Sequence, residues 1–139
     1  MTSKLQSVLD RFDKLNELIM DPQVISDQNS YKKYTKELSD ITETVEKILG
    51  IGDSLDWALK MPLDDKTREG IEMLLKKYHE TLVNLGVTEF TPEVGTPFDP
   101  NTANAVMQMD GDEGEESGNV KQVFGRGYKL GDKVIRYAQ

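Results

Sequence analysis

GTPFDPNTANAVMQMD (Gly95–Asp110) and GNVKQVFGRGYKLGDKVIR (Gly118–Arg136) are the two stretches whose reading decides the fold. In Ala105–Met109, Val120–Phe124 and Lys133–Tyr137, β-branched and aromatic residues are bounded by Gly, Asp and Asn, the pattern of short strands. Pro97 and Pro100 each fix φ and remove a backbone donor, so PFDPN reads as a rigid loop. Lys129–Asp132 is a turn with Gly131 third. A β unit this small needs help from the rest of the chain. Between the two runs, Asp110–Glu116 holds five carboxylates in seven residues. An EF-hand loop would place glycine sixth and glutamate twelfth, where this chain has Glu115 and Lys121. A solvated hairpin tip is expected there, and no metal site.

Upstream, the spacing turns helical. Leu5, Val8, Phe12, Leu15 and Ile19 follow one another at 3, 4, 3, 4, which predicts a helix over residues 3–20 with Ser3 as its cap. Asp21-Pro22 ends it, because the residue before proline is pushed out of the α region. DPQVISDQNS then reads as a polar loop, with Asn29 or Ser30 capping the next helix. From Tyr31 the apolar series Tyr34, Leu38, Ile41, Val45, Ile48, Gly52, Leu55, Leu59 keeps the same spacing, the mark of a helix packed lengthwise on another. Gly50 and Gly52 interrupt it; close approach of a partner backbone and a tolerated defect both explain Gly52. After KMPLDD, Asp64 or Asp65 caps a helix carrying Ile71, Leu75, Tyr78, Leu82 and Leu85, and Gly86 ends it. A single hairpin cannot bury both stripes, and two hairpins pair as a four-helix bundle. Homodimerisation through Leu38, Ile41, Val45, Ile48, Leu55, Leu59, Ile71, Leu75, Tyr78 and Leu82 follows. Trp57 lies off the stripe and is expected to pack in a core or domain junction.

Of the 139 residues, 37% are hydrophobic and 30% charged, which suits a helical protein with a thin core. Zero cysteines exclude disulfides and fit a reducing cytoplasm. The N-terminus has no apolar signal core and no run is long enough to span a membrane. The net charge of −8 argues against nucleic-acid binding. Yet residues 119–139 carry net +4, leaving −12 on residues 1–118. That segment suits an acidic partner surface, or is merely a set of solvated strand ends. His79 is the lone histidine, has no second ligand nearby in sequence, and reads as a solvated helix residue. No nucleophile elbow, phosphate loop or dinucleotide fingerprint occurs, so no catalytic residue and no cofactor is assigned.

The two opening stretches resemble the C-terminal β domain of GrpE, the nucleotide exchange factor of DnaK-type chaperones. GDSLDWAL (52–59) and REGIEMLLKKYHETLVNLGV (68–87) resemble the helical segments that precede it. The resemblance covers roughly residues 50–138. It implies an α+β homodimer whose β domain wedges into the nucleotide-binding domain of the chaperone and promotes ADP release. Carried over by motif, the binding residues are Phe98, Pro100 and Asn101 in the loop, Phe124, Arg126 and Tyr128 in VFGRGY, and Lys133 and Arg136 in DKVIR. The alternative place for Phe98, Phe124 and Tyr128 is the small β core. Three departures stand out: Thr102, Ala103 and Asn104 replace a histidine-containing run, Lys133 stands where arginine is common, and the chain stops at IRYAQ, which predicts a frayed last strand. LQSVLDRFDKLNELIMDPQVISDQNSYKKYTKEL (5–38) does not resemble the long N-terminal helix of GrpE. It resembles the first helical region of class I peptide-chain release factors, although the GGQ tripeptide those proteins need is absent.

Three segments are therefore expected: a helical hairpin at 1–47, the helix pair of a dimeric bundle at 48–86, and a small β domain at 87–139. The second functional expectation is a structural dimerisation or assembly module whose N-terminal hairpin docks on a translation-linked partner.

Overall fold

The computed structural model describes residues 2–139; the Ser3 cap and the Leu5 stripe position concern side chains outside the described residues. The chain divides into two compact units, residues 1–86 and 87–139. The first holds α1 (Thr2–Leu18), α2 (Pro22–Ser26), α3 (Gln28–Leu59) and α4 (Asp65–Leu85). The second holds β1 (Val87–Phe90), β2 (Gly127–Leu130) and β3 (Lys133–Arg136), in spatial order β1-β2-β3.

Local chemistry sets the helix ends. The expected polar loop is instead largely α2, with Pro22 in its first turn and Asp21 accepting from the Gln23 N–H at 2.9 Å. Asp27, not Asn29 or Ser30, caps α3: it accepts from the Asn29 N–H at 3.2 Å and the Ser30 hydroxyl at 2.7 Å. Asp64 caps α4 through the Thr67 N–H at 2.9 Å, and Gly86 closes it at φ +89. The free carbonyls of the α3 C-terminus meet Arg68, whose guanidinium donates to Leu59 O at 2.9 Å and Met61 O at 3.4 Å.

α3 runs unbroken across residues 47 and 48, so the segments 1–47 and 48–86 share one helix and one unit. Gly50 and Gly52 do not interrupt it. A Cβ at Gly50 would meet open space, whereas one at Gly52 would overlap the Tyr78 ring. Tyr78 lies across that notch and donates its hydroxyl to Ile48 O at 2.8 Å. The close approach foreseen at Gly52 is thus a side chain of α4 in the same chain.

α1, α3 and α4 pack on one another. Their core is Phe12, Leu15, Leu38, Val45, Leu49, Leu82 and Leu85, all buried. Each fully buried large apolar side chain contributes about 1.5–3 kcal/mol. The exposed bidentate pair from Arg11 to Glu37, at 2.7 and 2.8 Å, fixes register and adds little. One chain therefore covers part of the stripe that the sequence assigns to a dimer. Coverage stops at Gly52 of α3 and Leu82 of α4: between those points Leu55, Leu59, Ile71, Leu75 and Tyr78 are only half-buried. Trp57 is 64% exposed there, outside any core of the helical unit.

Two outcomes follow. Gly52→Ala forces the Tyr78 ring aside and should lower the unfolding free energy by about 1–3 kcal/mol. Gly50→Ala should raise it by about 0.5–1 kcal/mol, both read by urea denaturation. The Asp27 carboxyl is held below its ordinary range chiefly by the Ser30 hydroxyl, and that of Asp64 chiefly by the Thr67 hydroxyl. Their stabilisation is complete above the ordinary carboxylate pKa and is lost as pH falls through the lowered folded values. Circular dichroism should show Asp27→Asn with Asp64→Asn flattening helix loss in that acid window.

Candidate functional site

The β unit is built on two antiparallel ladders. Val87–Phe90 pairs with Gly127–Leu130, and β2 turns into β3 through Gly131-Asp132. Gly131 has φ +58, as a two-residue hairpin loop requires at its first position. The register slips between Tyr128 and Lys129, so Ile135 is the extra residue of a bulge and points into the core. A Cβ at Gly127 would overlap the Phe90 ring, so glycine is what lets that ring lie against β2.

Of the expected strands, Lys133–Tyr137 forms as β3, ending at Arg136. Ala105–Met109 and Val120–Phe124 do not form strands. Among the described residues, none from Ala105 to Met109 makes a backbone hydrogen bond with another segment, and Val120 and Phe124 spend theirs on loops and on Gln139. Val120 pairs with Gly95 and Thr96 at 2.7 and 2.8 Å, and Phe98 N–H donates to Gly118 O at 3.0 Å.

PFDPN is rigid for a reason beyond its prolines. One Asp99 carboxylate oxygen accepts from both the Asn101 N–H at 2.9 Å and the Asn101 side-chain amide at 3.0 Å. Ala103 N–H closes onto Asp99 O at 3.0 Å. The last residues are not frayed. Ala138 bridges Thr102 and Asn104 at 3.1 and 2.8 Å, and Gln139 exchanges hydrogen bonds with Gly125 at 2.8 and 3.0 Å.

The eight residues assigned to binding separate into groups. Phe98, Pro100, Asn101 and Phe124 are exposed. Tyr128 is buried at 6% and belongs to the core, where its ring lies under the Arg136 guanidinium at 5.9 Å. Arg126 is paired with Glu89 of β1 at 2.9 Å. Lys133 is exposed beside the turn. Lys129, absent from the eight, adds a fourth cation above the Phe90 ring at 5.2 Å. The alternation of GYKL was the signal for it.

Lys121, by contrast, leaves the basic group. Its ammonium donates to Asp110 O at 2.9 Å, Glu115 at 3.0 Å and Asp112 at 3.2 Å, so the acidic tip is pinned rather than simply solvated. The Glu115 carboxyl is held below its ordinary range first by the Asp112 N–H and then by Lys121; Lys121 is raised mainly by Glu115. In the helical unit, His79 is half-buried and meets the Tyr78 ring edge-on at 5.6 Å. The β unit thus presents a hydrogen-bonded loop, two exposed aromatic rings and a cationic hairpin.

The chain is 46% identical over 96 residues to protein GrpE of Exiguobacterium sibiricum, covering 66% of this chain and 50% of that protein. It is 31% identical over 139 residues to protein GrpE of Clostridium perfringens, covering 99% of this chain and 64% of that one. Peptide chain release factor 1 of Bacillus licheniformis is 33% identical over 138 residues, across 91% of this chain and 38% of that protein. The chain spans about half to two thirds of the length of these GrpE relatives. The family model described as GrpE matches residues 2–139, which takes in the opening third that the sequence reading had set apart. Over that whole span, helices and β unit together, the chain belongs to the GrpE family.

Proposed function

We propose that this chain is a co-chaperone, a nucleotide exchange factor that binds the nucleotide-binding domain of a DnaK-type chaperone and promotes ADP release. The observation that carries this reading is the family match over residues 2–139. The exposed Phe98, Pro100, Asn101 and Phe124, with the cations Arg126, Lys133 and Arg136, suit a rigid apolar contact rimmed by charge. The mechanism is population shift. A partner that binds the open conformer of the chaperone more tightly than the closed one moves the equilibrium by that difference in affinity. It makes and breaks no bonds, so the exchange factor needs no catalytic group. The cations raise the association rate with an acidic chaperone surface.

The reading includes a homodimer. The apolar residues that α1 leaves uncovered, Leu55, Leu59, Ile71 and Leu75 with the exposed Ile51 and Leu74, would be its contact. Leu38, Val45 and Leu82 are occupied within the chain and are withdrawn from that contact. No helix among the described residues is long and apolar enough to cross a membrane. The zero cysteine count supports a cytoplasmic setting. The likeness to release factor 1 favours a second reading, an assembly module docking on the translation machinery through α1 and α2. Co-sedimentation with ribosomes would favour it over exchange.

Added to a DnaK-type chaperone loaded with labelled ADP, the chain should accelerate release at micromolar protein. Lys133→Glu with Arg136→Glu should cut that acceleration about tenfold; no acceleration by the parent chain refutes the reading. Light scattering after size exclusion should give twice the chain mass, and Ile51→Glu with Leu74→Glu should return one chain mass while circular dichroism stays unchanged.

A further inference from the structure

Asp110-Gly111 is the one aspartyl-glycine pair in the chain, and no asparaginyl-glycine pair occurs. Both residues are exposed and lie outside every helix and strand, where the acidic tip begins. The backbone nitrogen that follows an aspartate can reach its side-chain Cγ and close a five-membered ring. Several aspartates of this chain are protected from that reaction. Asp21 and Asp99 precede prolines, which have no N–H to lose. Asp10, Asp40 and Asp53 lie within helices, where hydrogen bonds along the helix hold the following nitrogen.

Gly111 has neither protection. Among the described residues its N–H donates no backbone hydrogen bond, and without a Cβ its backbone turns freely into the ring-closing geometry. The Asp110 carboxylate makes no hydrogen bond or ion pair among those residues, whereas Asp112 and Glu115 are both held by Lys121. A third contact of Lys121 falls on the reacting unit itself. Its ammonium donates at 2.9 Å to Asp110 O, the oxygen of the Asp110–Gly111 peptide. When the Gly111 nitrogen gives up its proton, the charge left behind is shared with that oxygen, and a cation there stabilises it.

We propose that Asp110-Gly111 is a modification site that isomerises spontaneously to isoaspartate, with Lys121 assisting ring closure and holding the carboxylate that forms. The deprotonated Gly111 nitrogen attacks Asp110 Cγ. The new C–N bond forms as the Cγ–O bond breaks, and the carboxyl hydroxyl leaves as water with the proton that the nitrogen released. Water then opens the succinimide. Attack at Cγ restores aspartate, whereas attack at the former main-chain carbonyl carbon routes the chain through Cβ and Cγ. Nothing is oxidised or reduced, and one water is released for each one consumed. In the isoaspartyl product the carbon whose oxygen Lys121 contacts carries a carboxylate, a stronger acceptor for the ammonium than a carbonyl. That carboxylate is the group that an isoaspartyl-directed methyltransferase esterifies from S-adenosylmethionine. The inference is independent of the exchange reading, since no chaperone takes part.

The whole chain is held at neutral pH, and samples are followed by peptide mapping with mass spectrometry. Labelled methyl transfer by an isoaspartyl carboxyl methyltransferase provides a second readout. Isoaspartate should accumulate at position 110. Gly111→Ala should slow it about fivefold, and Asp110→Glu, whose ring would be six-membered, should give none. Lys121→Gln should slow it about threefold, the size that an exposed charge contact allows, and should lower the share of isoaspartate over aspartate among the products. Lys121→Arg, which keeps the cation, should stay close to the parent. Circular dichroism checks that each variant is folded. Absence of isoaspartate at position 110 in the parent, or indifference to Gly111→Ala, overturns the proposal. A rate in Lys121→Gln equal to or above that of the parent overturns the part assigned to Lys121, since it would mean that the cation merely restrains the tip.

Discussion

Burial of Phe12 and Leu15 against α3 and α4 is the constraint on which the helical unit depends. Two helices joined by a short link can each hide only one flank, and α3 and α4 would otherwise leave Leu38, Val45, Leu49, Leu82 and Leu85 in water. α1 removes that surface from solvent without a second chain. The return path is enforced locally: Asp21 and Pro22 open α2, Asp27 opens α3, and each cap turns the chain where a continuous helix would have carried α1 away. Leu9 against Gly86 sets how closely α1 approaches the end of α4, since a Cβ there would strike it.

In the β unit the corresponding constraint is backbone pairing of the chain end. Three four-residue strands bury little by themselves. Ala138 and Gln139 tie the loop after PFDPN to the segment before β2, which brings Phe98 and Phe124 onto one rigid body. Around that body the charges have separate tasks. Arg126 and Glu89 hold β1 to the entry of β2, Arg136 covers Tyr128, and Lys121 gathers the acidic tip. The net +4 of the last segment is therefore not one uniform face.

Much of the helical architecture was legible because helix periodicity and caps are local. Asp64 and Gly86 stood where their side chain and lack of one demand. The reading failed where a short element depends on its neighbours. DPQVISDQNS looked like a loop because five residues carry no periodicity, yet Asp21 and Pro22 start a turn of helix there. Ala105–Met109 looked like a strand because its composition is that of one, but a strand exists only with a partner, and Val120 bonds to Gly95 and Thr96 instead. Among the assigned binding residues, aromatic type alone could not separate buried Tyr128 from exposed Phe98 and Phe124.

By itself the sequence determined an α+β chain, the apolar stripes of its long helices, both ends of α4 and the rigid PFDPN loop, and its motifs carried the resemblance to GrpE proteins. The stripes, the ends and the loop follow from spacings and backbone chemistry within a few residues of each other. The tertiary structure alone decided that α1 covers part of the stripe assigned to a second copy, that Gly52 seats Tyr78, and that Lys121 serves the acidic tip. The contacts behind them join residues from 6 positions apart (Glu115 and Lys121) to 77 (Leu9 and Gly86), and an apolar stripe or a charge states only that it requires a partner, not which segment supplies it.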